Sequence, residues 1–152
     1  MKILKIFLVI LIIALVAMQF IPNQMPENKE AGADDLIASG VVPESISSVL
    51  KTSCYDCHSN QTVYPWYSKI APASWLLAKD IRHGREELNF SDWESYSKRN
   101  KIKNLSNIKE EVTSGEMPLN IYLVIHRKAK LSPEQVSALS KWTDDLTNKI
   151  LE

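Results

Sequence analysis

Cys54-Tyr55-Asp56-Cys57-His58 holds the only two cysteines of this 152-residue chain. Two thiols three positions apart can each add to one of the two vinyl groups of a haem, and the pattern is the attachment signature of c-type haem. The histidine that follows the second thiol is then held beside the iron, where an imidazole nitrogen becomes the proximal ligand. With no other cysteine to compete, the pentapeptide implies one covalent haem c per chain, attached at Cys54 and Cys57 and ligated by His58.

On both sides of this segment the sequence is helical. Pro43 suits the first turn of a helix in which Ile46, Val49 and Leu50 recur at helical spacing and lead straight into Cys54. Tyr64-Pro65-Trp66-Tyr67 follows as a loop. Beyond Pro72 a longer helix carries Leu77, Ile81 and Leu88 on one face, with Arg82, Arg85 and Glu86 elsewhere. Ser91 and Glu94 have the capping-box spacing that starts a short helix through Trp93. Leu105, Ile108 and Val112 mark another, closed by Gly115. In the last helix Ser132 is the cap, Pro133 the first position and Gln135 the box partner, followed by Val136, Leu139, Trp142, Leu146 and Ile150. No segment sustains a period-two alternation, so the expected fold class is all-α.

Toward the N-terminus, Lys2 and Lys5 precede an uncharged apolar run from Ile6 to Met18, prolonged by Phe20 and Ile21. A positive start before such a run directs export and leaves the lysines on the cytoplasmic side. Counted from Ile3 to Ile21, the run approaches the ~20 residues that span a bilayer, and no Ala-x-Ala site is evident around Val16-Ala17-Met18-Gln19. Residues 1–21 are therefore expected to form a transmembrane signal anchor, single-pass in the bacterial cytoplasmic membrane, with a cleaved signal peptide as the alternative. Residues 22–35, polar and containing Pro22, Pro26 and Gly32, read as a linker. Residues 36–152 then form one small domain on the periplasmic or extracytoplasmic side. Haem is joined to such motifs on that side, so the export signal and the pentapeptide agree.

Setting aside Lys2 and Lys5 from the 18 basic residues leaves 16 against 18 acidic ones, a net charge of −2. No basic stripe interleaved with aromatics is present, which argues against a nucleic-acid partner.

A haem that transfers electrons needs a second axial ligand, and Met117, His126 and His83 are the candidates within the domain. Met117 lies in Gly115-Glu116-Met117-Pro118, after a helix end, and Pro118 biases it toward an extended conformation. That presents the thioether from a restrained loop, and methionine opposite histidine raises the reduction potential. His126 follows the apolar run Ile121-Tyr122-Leu123-Val124-Ile125 and serves equally as a cap or a propionate partner. His83 sits in a charged stretch and reads as a surface residue. Arg82 and Arg85 can pair with propionates, although a solvated helix face explains them as well. Trp66, Tyr67, Trp75, Trp93 and Trp142 are candidate walls for a flat apolar cofactor or members of an ordinary core.

Two rival readings of the thiols fit less well. A thiol–disulfide oxidoreductase places its pair between a strand and a helix, whereas the segment before Cys54 reads as helix. A structural zinc site lacks a fourth nearby ligand, and His58 directly after Cys57 is badly spaced for tetrahedral closure.

The chain also resembles a known family, the small haem-binding domain proteins of bacterial membranes, a cytochrome c-like group. The resemblance rests on Cys54-Tyr55-Asp56-Cys57-His58-Ser59-Asn60, Tyr64-Pro65-Trp66-Tyr67 and Ile70-Ala71-Pro72. It continues through Gly84-Arg85, Leu88-Asn89-Phe90-Ser91, Trp93, Gly115-Glu116-Met117-Pro118 and Leu131-Ser132. It implies covalent haem on Cys54 and Cys57, iron ligation by His58 and a helical fold like that of cytochrome c. The sequence departs from the family pattern at Leu119 and Arg127, where members tend to carry proline.

The expected function is a membrane-tethered one-electron carrier, not an enzyme, exchanging electrons with membrane or periplasmic redox proteins. The alternative is a haem-based sensor or gas-binding module with an open or weakly held sixth position.

Overall fold

Helical spacing becomes helix throughout the computed structural model, which describes residues 1–152 and contains no strand. The N-terminal apolar run forms α1, Lys2–Ala17, continued by a 3-10 turn at Met18–Phe20. Pro43 caps α2, Glu44–Ser53, and after a one-residue break at Cys54 the chain rewinds into α3, Tyr55–His58. A 3-10 turn at Trp66–Lys69 precedes α4, Ala73–Glu87. Then come α5, Lys98–Ser114, α6, Asn120–Leu123, a 3-10 turn at Arg127–Ala129, and α7, Pro133–Leu151. Gly115 closes α5 at φ 78°, a left-handed conformation that costs glycine nothing. Ser132 and Gln135 form the reciprocal capping box of α7.

The short helix expected to start at Ser91 is instead a 3-10 turn over Phe90–Ser95, capped by Asn89, whose side chain accepts from the Ser91 amide. Ser91 is diverted from capping because its hydroxyl accepts a 3.0 Å bond from the Asn60 amide. It thereby ties this turn to the loop after His58.

The apolar stripes of α2, α5 and α7 converge on one core. Leu50, Leu105 and Leu139 are fully buried there, with Leu36 and the Trp93 and Phe90 rings of the 3-10 turn filling the space between helices. Each such side chain contributes about 1.5–3 kcal/mol by leaving water. α5 packs along α7, while α3 lies against α4, which leaves the Cys54–His58 segment between the core helices and α4.

Residues 22–35 run along the domain rather than away from it. Arg82 Nη1 donates to the Gln24 carbonyl and Arg85 Nη1 to the Glu27 carbonyl, both at 2.8 Å. The Asn28 amide group donates to the Thr62 carbonyl and accepts from the Thr62 amide, and the Lys29 amide donates to the Asn60 carbonyl. Tyr64 donates to the Pro26 carbonyl. The segment ends at Asp35, a buried carboxylate that accepts from the amides of Ile37 and Ala38, from the Tyr55 hydroxyl and from Gln61.

Candidate functional site

The break at Cys54 places two thiols and an imidazole on consecutive turns of one bend. The Cys54 carbonyl accepts from the amides of both Cys57 and His58, at 3.2 and 2.9 Å, and so winds the short α3 tightly. The bend is pressed onto α4 at Gly84. A Cβ at that position would stand 2.7 Å from the Cys57 carbonyl oxygen and 3.2 Å from the Cys57 Cβ. Only glycine allows the two backbones this approach.

The C-terminal end of α4 orients the imidazole. His58 Nδ1 lies 3.1 Å from the Leu88 carbonyl oxygen. A carbonyl oxygen only accepts, so Nδ1 carries the proton and Nε2 keeps its lone pair. Burial pulls the His58 pKa below its ordinary value, opposed by hydrogen bonding to the Leu88 and Gly84 backbone. The ring is therefore a neutral base with a fixed tautomer, the state in which imidazole ligates a metal. Burial pushes the Cys54 thiol up to about 12, with the charge of Cys57 adding to it. It pushes Cys57 up to about 11, with Asp56 and Asp80 adding to that. Thiols held this firmly protonated are poor partners for disulfide exchange, which runs through the thiolate.

Two adjoining cavities of about 220 and 290 Å³ open at the bend, and both are lined by Cys54, His58, His83, Glu87 and Met117. Cys57 and Tyr122 complete the first; Phe90, Ile108 and Val112 wall the second. Joined across their shared lining they fall within the ~300–1,000 Å³ of ordinary ligand pockets. Met117 reaches them from the loop between α5 and α6, with its amide donating to the Glu111 carbonyl at 3.2 Å and the following Pro118 buried. All four residues singled out by the sequence, Cys54, Cys57, His58 and Met117, thus line one continuous site. Two thiols able to add to vinyl groups, an imidazole with a free Nε2 and a thioether share a partly apolar wall, so the residues present fit a haem.

His126 lines neither cavity. Its ring stacks on Tyr122 at 4.2 Å between centroids, and its Nε2 lies 2.8 Å from the Tyr67 hydroxyl. Tyr122 in turn donates to Asp56 Oδ2 at 2.7 Å, so Asp56 ties α6 to α3 while its other oxygen accepts from the Val63 amide. Arg82 and Arg85, candidates for propionate pairing, are committed instead to carbonyls of residues 24 and 27, and Arg85 Nε also donates to the Ser59 carbonyl. Of the aromatic side chains proposed as walls, Trp93 and Trp142 belong to the core and Trp66 is exposed. The rings that line the cavities are Phe90 and Tyr122.

Sequence reading missed the acidic edge of the site. Asp80, His83, Gly84 and Glu87 recur along one face of α4, and that face turns to the cavities, where Asp56 and Glu111 join it. No lysine or arginine lines either cavity. His83, read as a surface residue, is solvent-exposed and at the same time stands at the mouth of both.

A family model described as haem-binding domain matches residues 13–145, which takes in every residue of the site. No curated protein and no solved structure matches the chain.

Proposed function

The chain belongs to the haem-binding domain family and is a haem-binding protein; from that premise we propose that it is a membrane-tethered one-electron carrier with covalent haem c, one per chain. Cys54 and Cys57 are the attachment points, His58 the proximal ligand and Met117 the sixth ligand. Haem so bound supplies a ferric/ferrous couple. The protein's own part is to hold an imidazole in one tautomer, to present the Met117 thioether to the same cavities, and to line them with the apolar walls of Phe90, Ile108 and Val112.

The observation that carries this reading is the Leu88 carbonyl on His58 Nδ1, which leaves Nε2 as the only ring nitrogen able to ligate. Met117 lines both cavities with His58, whereas His126 is occupied by Tyr67 and Tyr122; this supports methionine as the opposite ligand. The tether is α1 with its 3-10 extension, 19 residues of mean hydropathy 2.8. The redox partners are membrane or periplasmic proteins, and the domain acts as a carrier, not as an enzyme.

The test is the absorption spectrum of the purified protein after maturation in a host able to attach haem. A six-coordinate, low-spin ferrous form slow to take up carbon monoxide is expected. A five-coordinate ferrous form would favour the sensor reading. In parallel, replacing Cys54 and Cys57 together by serine should yield polypeptide that carries no colour through a denaturing gel. Colour persisting in that double variant refutes the attachment.

A further inference from the structure

The part of the domain nearest the N-terminal helix is apolar where a water-facing surface would be polar. Trp66 is 75% exposed, Val124 66% and Ile121 58%, and Ile70, Leu76 and Ile125 are exposed beside them. These residues come from three separate stretches, and specific contacts make them one patch. Tyr67, next to Trp66, bonds His126 at 2.8 Å, which brings the 66–70 turn against the 121–125 run. A groove of about 180 Å³ between α4 and the 119–125 run is lined by Leu76, Ile121, Val124 and Ile125, with Tyr67 joining it from the 66–70 turn. Contiguous exposed patches of this kind mark sites of association.

What covers the patch follows from where α1 leaves the domain. Gln19 is clamped to Ala71 in both directions, its Nε2 donating to the Ala71 carbonyl and its Oε1 accepting from the Ala71 amide, each at 3.0 Å. Ala71 directly follows Ile70 of the patch. No residue of α1 is buried, so the helix projects from the domain with its apolar side chains unpartnered. If α1 spans a bilayer, its last turn lies at the bilayer surface, and the clamp holds the patch at that same depth. The composition suits that depth as well. Tryptophan concentrates at membrane interfaces, and Lys69, Arg127 and Lys128 stand exposed at the margin, where cations meet anionic headgroups.

We propose that this face, centred on Trp66, Ile121 and Val124, rests in the headgroup region of the bilayer that α1 enters, so that the domain is seated on the membrane rather than swinging from it. The proposal rests on the reading of α1 as a membrane anchor.

The test uses the full holoprotein in vesicles of phosphatidylcholine and phosphatidylglycerol, with a photoreactive residue placed singly by Val124→p-benzoylphenylalanine or Trp66→p-benzoylphenylalanine. Lys141→p-benzoylphenylalanine, on the solvent face of α7, is the solvent control, and Ile10→p-benzoylphenylalanine reports α1 itself. After illumination, peptide mass spectrometry is expected to show lipid adducts at 124, 66 and 10 and none at 141. Adducts at 10 without adducts at 124 and 66 overturn the seating and leave the anchor intact. Absence of lipid at 10 overturns the anchor and the seating with it. Crosslinks from 124 to polypeptide instead of lipid assign the face to a second copy or a protein partner and overturn the proposal.

Discussion

Gly84 shows how closely the Cys54–His58 segment and α4 meet. Gly84→Ala would put a methyl group 2.7 Å from the Cys57 carbonyl oxygen, a backbone atom that cannot swing aside. Separating α3 from α4 should cost about 1–3 kcal/mol, the usual range for overpacking, and draw the Leu88 carbonyl away from His58. The expected outcome is a Tm lowered by several degrees and a smaller fraction of covalently loaded protein, read by thermal melts and by haem-to-protein absorbance. Met117→Ala should open the sixth position, seen as faster carbon monoxide binding and a lower reduction potential, because a thioether favours ferrous iron. His83→Ala should leave the coordination bands and the ligand-binding rate unchanged. If His83→Ala opens the iron and Met117→Ala does not, the assignment of the sixth ligand is wrong. That Cys54, Cys57, His58 and Met117 share one cavity lining was foreshadowed in the sequence, because the Cys-x-x-Cys-His spacing holds three of them on one short bend and a following proline restrains the methionine. The Asp80, His83, Glu87 face was not, since polar residues at helical spacing look the same whether they face water or a cavity. Gly84 needed the tertiary contact to acquire its meaning.

Helices were readable from spacing and caps, as the α7 box at Ser132 and Gln135 illustrates. Segments defined by backbone bonding were not. Residues 24–29 lack apolar period and read as a linker, yet their carbonyls and amides are taken up by Arg82, Arg85, Tyr64 and the 60–62 loop. Every sequence has such backbone groups, so composition cannot reveal this kind of strap. Ser91 failed as a cap for a related reason: a distant amide, Asn60, reached its hydroxyl first. Arg85 is the residue on which the strap depends most, with donors to Ser59, Glu27, Asn28 and Thr62. Arg85→Met keeps the aliphatic stem and removes the guanidinium. It should cost roughly 1–3 kcal/mol, the scale of charged hydrogen bonds lost at a partly buried site. Trypsin cleavage after Lys29 should accelerate correspondingly, while the spectrum stays that of the parent protein. Unchanged cleavage would show that the strap holds without Arg85.

Taken together, the molecule is an apolar helix with no buried residue, a strap, and a helical domain built around one bend of chain. The helix and the strap differ in what they owe to the rest. α1 is joined to the domain through the 3-10 turn that follows it, by the Gln19–Ala71 pair, so its removal withdraws little from the core. The strap contributes several hydrogen bonds, each worth about 0.5–1.5 kcal/mol net, against a total stability of about 5–15 kcal/mol for a domain of this kind. Deleting residues 1–21 should therefore give a protein that leaves the membrane fraction, keeps its absorption spectrum and melts within a few degrees of the parent. Deleting residues 1–34 should take the Gln24, Pro26, Glu27, Asn28 and Lys29 contacts with it and lower the urea midpoint sharply. The Asp35 carboxylate remains in that variant to receive the Tyr55 hydroxyl, so the bend itself should still attach haem. Equal urea midpoints for the two deletions would mean that the strap contributes nothing to folding. Unfolding of the shorter deletion would mean that the Gln19 clamp is part of the fold.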